Sequence, residues 1–68
     1  MSVKVNYRDM QKIKQYIQKH NGKLTTRDIF KHFENQDMDK NEIHLILEIM
    51  IQKDDVKFND DLKLVWRD

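Results

Sequence analysis

Sixty-eight residues leave room for one domain, and a single core must take up most of the apolar side chains for so short a chain to hold together. The absence of cysteine excludes disulfides and thiolate metal sites. The net charge of +1 hides an asymmetry. Residues 1–34 carry eight basic groups (Lys4, Arg8, Lys12, Lys14, Lys19, Lys23, Arg27, Lys31) against three acids (Asp9, Asp28, Glu34), a balance of +5. Residues 35–68 carry five (Lys40, Lys53, Lys57, Lys63, Arg67) against nine (Asp37, Asp39, Glu42, Glu48, Asp54, Asp55, Asp60, Asp61, Asp68), a balance of −4.

Three quartets mark helix starts: Asn6-Tyr7-Arg8-Asp9, Thr25-Thr26-Arg27-Asp28 and Asp39-Lys40-Asn41-Glu42. In each, a capping side chain can accept from a free backbone N–H, and an acid three places on can reach back to the N–H of the cap. The first helix is expected from Tyr7 to His20, with Met10, Ile13 and Ile17 on one face and Tyr16 beside them. Asn21-Gly22 ends it, because both residues tolerate left-handed backbone. Lys23-Leu24 reads as a short extended link. The second helix, Thr26 to Phe33, is expected to bury Ile29, Phe30 and Phe33, and Glu34–Met38 supplies a polar connector. The third, Lys40 to Lys53, points Ile43, Ile46, Leu47 and Met50 inward, within roughly 100° at 3.6 residues per turn. Asn41, Leu45, Glu48 and Gln52 point outward, with His44 and Ile49 on the flanks.

Beyond Asp54-Asp55 the period changes to two. Val56 and Phe58 share one side of a strand, Asn59-Asp60-Asp61 forms the turn, and Leu62, Leu64 and Trp66 alternate on the return. Three helices followed by a short β-hairpin make an α+β winged helix-turn-helix, a single domain over residues 1–68, with a sheet of two or three strands. The longest apolar run, Leu45-Ile46-Leu47, is far short of the roughly 20 residues of a membrane span, and the N-terminus lacks the apolar core of a signal peptide. A soluble protein of the cytoplasm or nucleus, or a domain cut from something larger, is the expectation.

Nothing in the sequence suggests catalysis. Ser2 is the lone serine, His20, His32 and His44 stand twelve apart rather than at the i, i+4 spacing of a metal site, and the acidic hairpin lacks the glycine and distal glutamate of a calcium loop. The histidines are expected to face solvent, no enzyme activity is expected, and neither a cofactor nor a metal is called for.

Binding is the remaining class of function. A helix that reads DNA bases usually offers Arg, Lys, Asn or Gln to the groove, and here Asn41, His44 and Gln52 are the candidate readers with Lys40 on a phosphate. Glu48 at the centre of that face, and Asp60 and Asp61 at the wing tip, oppose the negative potential of nucleic acid. Two other readings stand beside it. Leu45 and Ile49, rimmed by His44, Glu48 and Gln52, form a small apolar spot of the kind that docks protein, unless they pack on the wing or on Val3–Val5. Alternatively, Arg8, Lys12, Lys19, Arg27 and Lys31 hold duplex nucleic acid while the acidic half turns away.

From Leu24 to Trp66 the chain resembles the winged-helix superfamily, and three of its branches are similar. In the Z-alpha group, which binds left-handed nucleic acid, a Lys, an Asn and a Tyr at i, i+4, i+8 precede Pro-Pro-x-Trp; this chain has Lys40, His44 and Glu48, then Lys63-Leu64-Val65-Trp66, so only Lys40 and Trp66 match. Trp66 then reads as a core residue at the hairpin base, given its alternation with Leu62 and Leu64. The winged helix of the β subunit of general transcription factor IIE is similar in spacing from Leu24-Thr25 through Ile29 to Asp61-Leu62-Lys63. Its resemblance implies weak duplex contact combined with docking on polymerase machinery. The C-terminal winged helix of the replication protein A middle subunit is similar in its acidic wing and implies a partner peptide. The combined expectation is an interaction module of transcription or replication machinery. Arg8, Lys12, Lys19, Arg27, Lys31 and Lys40 face nucleic acid, and Asn41, His44, Leu45, Glu48, Ile49 and Gln52 face a protein partner or a second copy. The alternatives are a sequence-reading DNA-binding regulator, and a docking or dimerisation domain without nucleic acid.

Overall fold

A computed structural model describes residues 5–67. Helices α1 (Tyr7–Lys19), α2 (Thr26–Glu34) and α3 (Lys40–Gln52) precede strands β1 (Val56–Phe58) and β2 (Leu64–Trp66). The strands pair antiparallel, with Val56 opposite Trp66 and Phe58 opposite Leu64. This is the expected α+β layout of a winged helix-turn-helix, and each helix ends within one residue of the bound read from the sequence.

The three caps form, but only one is reciprocal among the described residues. Asn6 Oδ1 accepts from Arg8 N at 2.8 Å and Asp39 Oδ1 from Asn41 N at 2.7 Å. At Thr25 both halves are present: its hydroxyl accepts from Asp28 N at 3.2 Å, and Asp28 Oδ2 accepts from Thr25 N at 3.0 Å. Glu42 does not close the box of its own helix; its carboxylate takes the N–H of Asn6 instead, at 3.0 Å.

After α1 the chain turns through Gly22, whose φ of 78° lies in the left-handed region. The Gly22 N–H donates to Leu64 O at 2.8 Å, and Leu64 N–H donates to Leu24 O, making a single β-bridge between Leu24 and Leu64. The extended link between α1 and α2 is thus tied to the wing, and the hairpin lies against the helices.

One apolar cluster holds the elements together. Ile13 and Ile17 of α1, Ile29 and Phe33 of α2, the Ile43, Ile46, Leu47 and Met50 stripe of α3, and Val56 and Leu64 of the hairpin are all buried, joined by Leu24 and Met38 from the connectors. Each side chain of Leu or Ile size withdrawn from water contributes about 1.5–3 kcal/mol, which offsets the conformational entropy lost on ordering so small a chain.

Four apolar positions depart from the expected pattern. Phe30 packs on the edge of the core but is only half-buried, because Ile29 and Phe33 take the inward face of α2 and Phe30 lies about 100° round from Ile29. Leu62 is 70% exposed and adopts a φ of 60°. It belongs to the turn, not the strand: Asn59 Oδ1 accepts from the N–H groups of both Asp61 and Lys63, and Asn59 N–H donates to Lys63 O. The turn therefore runs to Lys63, and alternation begins at Leu64. Phe58, on the side of Val56, is 43% exposed at the end of its strand. Trp66 is half-buried against the core rather than within it, with Lys14 Nζ 5.4 Å from the ring centroid. No helix among the described residues is long and apolar enough to cross a membrane.

Candidate interaction surfaces

The outward face of α1 is basic. Arg8, Lys12 and Lys19 are exposed and fall within roughly 40° of one another around the helix, so they form one stripe along its length. Lys14 leaves that stripe for Trp66. On α2 the exposed Arg27 and Lys31 are balanced by Asp28 and Glu34, so the excess of the basic half is concentrated on α1. Within the Thr25 box the backbone and side-chain hydrogen bonds from Thr25 hold the Asp28 carboxyl below its ordinary range, assisted by Lys63 and Lys31 and opposed by slight desolvation.

Between α1 and α2, Tyr16 and His32 stack with ring centroids 4.0 Å apart and planes 10° from parallel. His20 and Phe33 meet the same tyrosine edge-on, at 5.0 and 5.5 Å. Gln36 Nε2 lies 3.0 Å from His32 Nε2. Of the three histidines expected to face solvent, only His44 is exposed; His20 and His32 are half-buried on Tyr16 because apolar ring faces exclude water there. Lys12 and Lys19 line a shallow depression on one side of this stack and Lys31 one on the other. Arg27 lies away from Tyr16, on the Phe30 side of α2, where it shares a second depression with Lys31.

The outward face of α3 carries Asn41, His44, Glu48 and Gln52, all exposed, with Leu45 and Ile49 half-buried. His44 Nε2 lies 3.8 Å from Glu48 Oε2 one turn on. Ile49 borders a depression shared with Tyr7, Met10 and Trp66, on the α1 side of the helix. The opposite flank holds what the sequence reading passed over: a groove of about 340 Å³ between α2 and α3, floored by Phe30, Leu47 and Ile51 and rimmed by Thr26, His44 and Glu48. Ile51, 40% exposed, was legible as an apolar residue only about 20° round the helix from Lys40. Of the six expected partner residues, His44 and Glu48 border this groove and Ile49 the opposite depression, with Asn41, Leu45 and Gln52 between them on the helix.

At the wing, Asp60, Asp61 and Leu62 are exposed, and Arg67 pairs with Asp54 at the hairpin base. Among the described residues no group of three His, Asp or Glu stands close enough to hold a metal ion. No family model, curated protein or solved structure matches this chain.

Proposed function

We propose that this chain is a non-enzymatic interaction module of winged-helix type, acting in transcription or replication machinery. Its α1 face contacts duplex nucleic acid weakly while α3 and the wing meet protein. The observation that carries this reading is the separation of charge across the fold: Arg8, Lys12 and Lys19 line α1, whereas Glu48 stands exposed at the middle of α3 and Asp60 and Asp61 at the wing tip. A carboxylate in the major groove costs affinity unless it accepts from a cytosine amino group, and two more at the wing repel phosphates. The link to transcription and replication rests on the resemblance in element order and spacing.

Fluorescence anisotropy with labelled duplexes of several sequences, at two salt concentrations, tests the reading. Three phosphate contacts give a slope of about −3 in log K against log salt. Lys12→Ala with Lys19→Ala should weaken binding equally for every duplex. Tight, sequence-dependent binding lost on Asn41→Ala would instead make α3 a base reader, and unchanged affinity in the double variant would remove the α1 contact.

A further inference from the structure

We infer that the groove between α2 and α3 is the contact surface for a second copy of this chain, related by a two-fold axis that lays α2 of each copy antiparallel along α3 of the other. The inference rests on the protein-docking half of the reading above and names the partner. Its first ground is the apolar floor of the groove, where Ile51 is 40% exposed and Phe30 half-buried beside the core residue Leu47.

Its second ground is charge order. Beyond Phe30, the outer rim of α2 presents Arg27, then Lys31, then Glu34. The rim of α3 on the groove side presents Lys40, then His44, then Glu48, which share one side of the helix with Ile51. Laid antiparallel with Arg27 opposite Glu48, the rims place Lys31 opposite His44 and Glu34 opposite Lys40, so the two ends of the contact pair opposite charges. The spacings agree: the seven residues from Arg27 to Glu34 span about 10.5 Å and the eight from Lys40 to Glu48 about 12 Å at 1.5 Å per residue. A two-fold contact needs one patch to carry both members of every pair, and these two rims do. Asp28 is occupied by the Thr25 box and does not compete.

A stable dimer commonly covers about 800 Å² of each partner. Helices of 9 and 13 residues present a face at or below that size, which places the dimer among weak, transient contacts.

Sedimentation velocity over a range of concentrations reads the mass directly. The wild-type chain should pass from monomer to dimer with a dissociation constant in the micromolar-to-millimolar range that such a series covers. Arg27→Glu and Glu48→Arg, both at exposed positions, should each raise it at least tenfold while leaving the circular dichroism and melting curve unchanged. An equimolar mixture of the two variants should recover the dimer, because both symmetry-related contacts between positions 27 and 48 then pair opposite charges. A wild type that remains monomeric at the millimolar end of that range, or a dimer indifferent to both substitutions, overturns the inference. Duplex anisotropy separates it from the reading it rests on. A monomeric wild type whose duplex affinity still falls with Lys12→Ala and Lys19→Ala loses the dimer alone, whereas sequence-selective binding abolished by Asn41→Ala removes the docking role of α3 as well.

Discussion

The carboxylate of Glu42 on α3 accepts the backbone N–H of Asn6 at 3.0 Å, across 36 residues of chain, and Glu42 is itself only 8% exposed. The same Asn6 caps α1 with its side chain, so both ends of the residue are engaged at the helix start: its Oδ1 by Arg8 N–H and its own N–H by α3. A negative charge at a helix N-terminus is further favoured by the helix dipole. One side chain of α3 thereby fixes where α1 begins and how it lies on the third helix.

Glu42→Ala should cost about 1.5–3 kcal/mol, the range for a hydrogen bond to a charged group. Urea denaturation measures the loss, and hydrogen exchange locates it, with the Asn6 amide losing protection ahead of the α2 amides. Glu42→Gln, which keeps an acceptor oxygen, should lose less than Glu42→Ala. A midpoint unmoved by Glu42→Ala would mean that this contact does not join the helices in solution.

The reciprocal box at Thr25 and Asp28 predicts an acid limb. The folded carboxyl is held below its ordinary range, chiefly by hydrogen bonds from Thr25. Its stabilisation is therefore complete above the ordinary carboxylate range and is lost as pH falls through the depressed folded value. Asp28→Asn should flatten the dependence of stability on pH within that acidic window and leave the slope near neutrality unchanged. Thr25→Ala, which removes the capping hydroxyl, should cost about 1 kcal/mol. An acid limb of the same slope in the Asp28→Asn protein would assign the titration to other carboxylates.

At Gly22 the backbone sets the prediction, since a Cβ there would meet only Asn59 Nδ2, at 3.9 Å, an ordinary contact. The cost of Gly22→Ala then comes from the left-handed φ of 78° and should be about 1–2 kcal/mol. Gly22→Asn should cost less, because asparagine tolerates that region. Thermal melts of the pair test this, and equal losses in both would point to the Leu64 hydrogen bond, not to the dihedral, as the constraint.

What was legible in the chain was local. The α3 stripe of Ile43, Ile46, Leu47 and Met50 and the three caps depend on neighbours within one or two turns, and periodicity reports them. The partner of Glu42 is hidden in the sequence, because a capping-box spacing looks the same whether the acid serves its own helix or an N–H 36 residues away. Leu62 continued an alternating pattern, but the Asn59 side chain extends the turn past it. For the surfaces, exposure of the cations followed from the helical wheel, while their grouping did not. That Lys12 and Lys19 meet Lys31 around Tyr16 and His32, while Lys31 also borders the Phe30 side with Arg27, depends on how α1, α2 and α3 pack together.

The contact of Lys14 with Trp66 joins α1 to the last strand, and Trp66 N–H is also held by Asn21 Oδ1 at 2.8 Å. With the ammonium 5.4 Å from the ring centroid at a half-buried site, the cation–π attraction should contribute about 0.5–1 kcal/mol. A double-mutant cycle of Lys14→Met and Trp66→Leu isolates it, because methionine keeps the apolar stem of the lysine while removing its charge. Coupling of that size is the expected result. Additive losses would show that Lys14 merely covers the ring with its stem, and that the end of β2 is tied to the helices by Asn21 and the apolar edge of Trp66 instead.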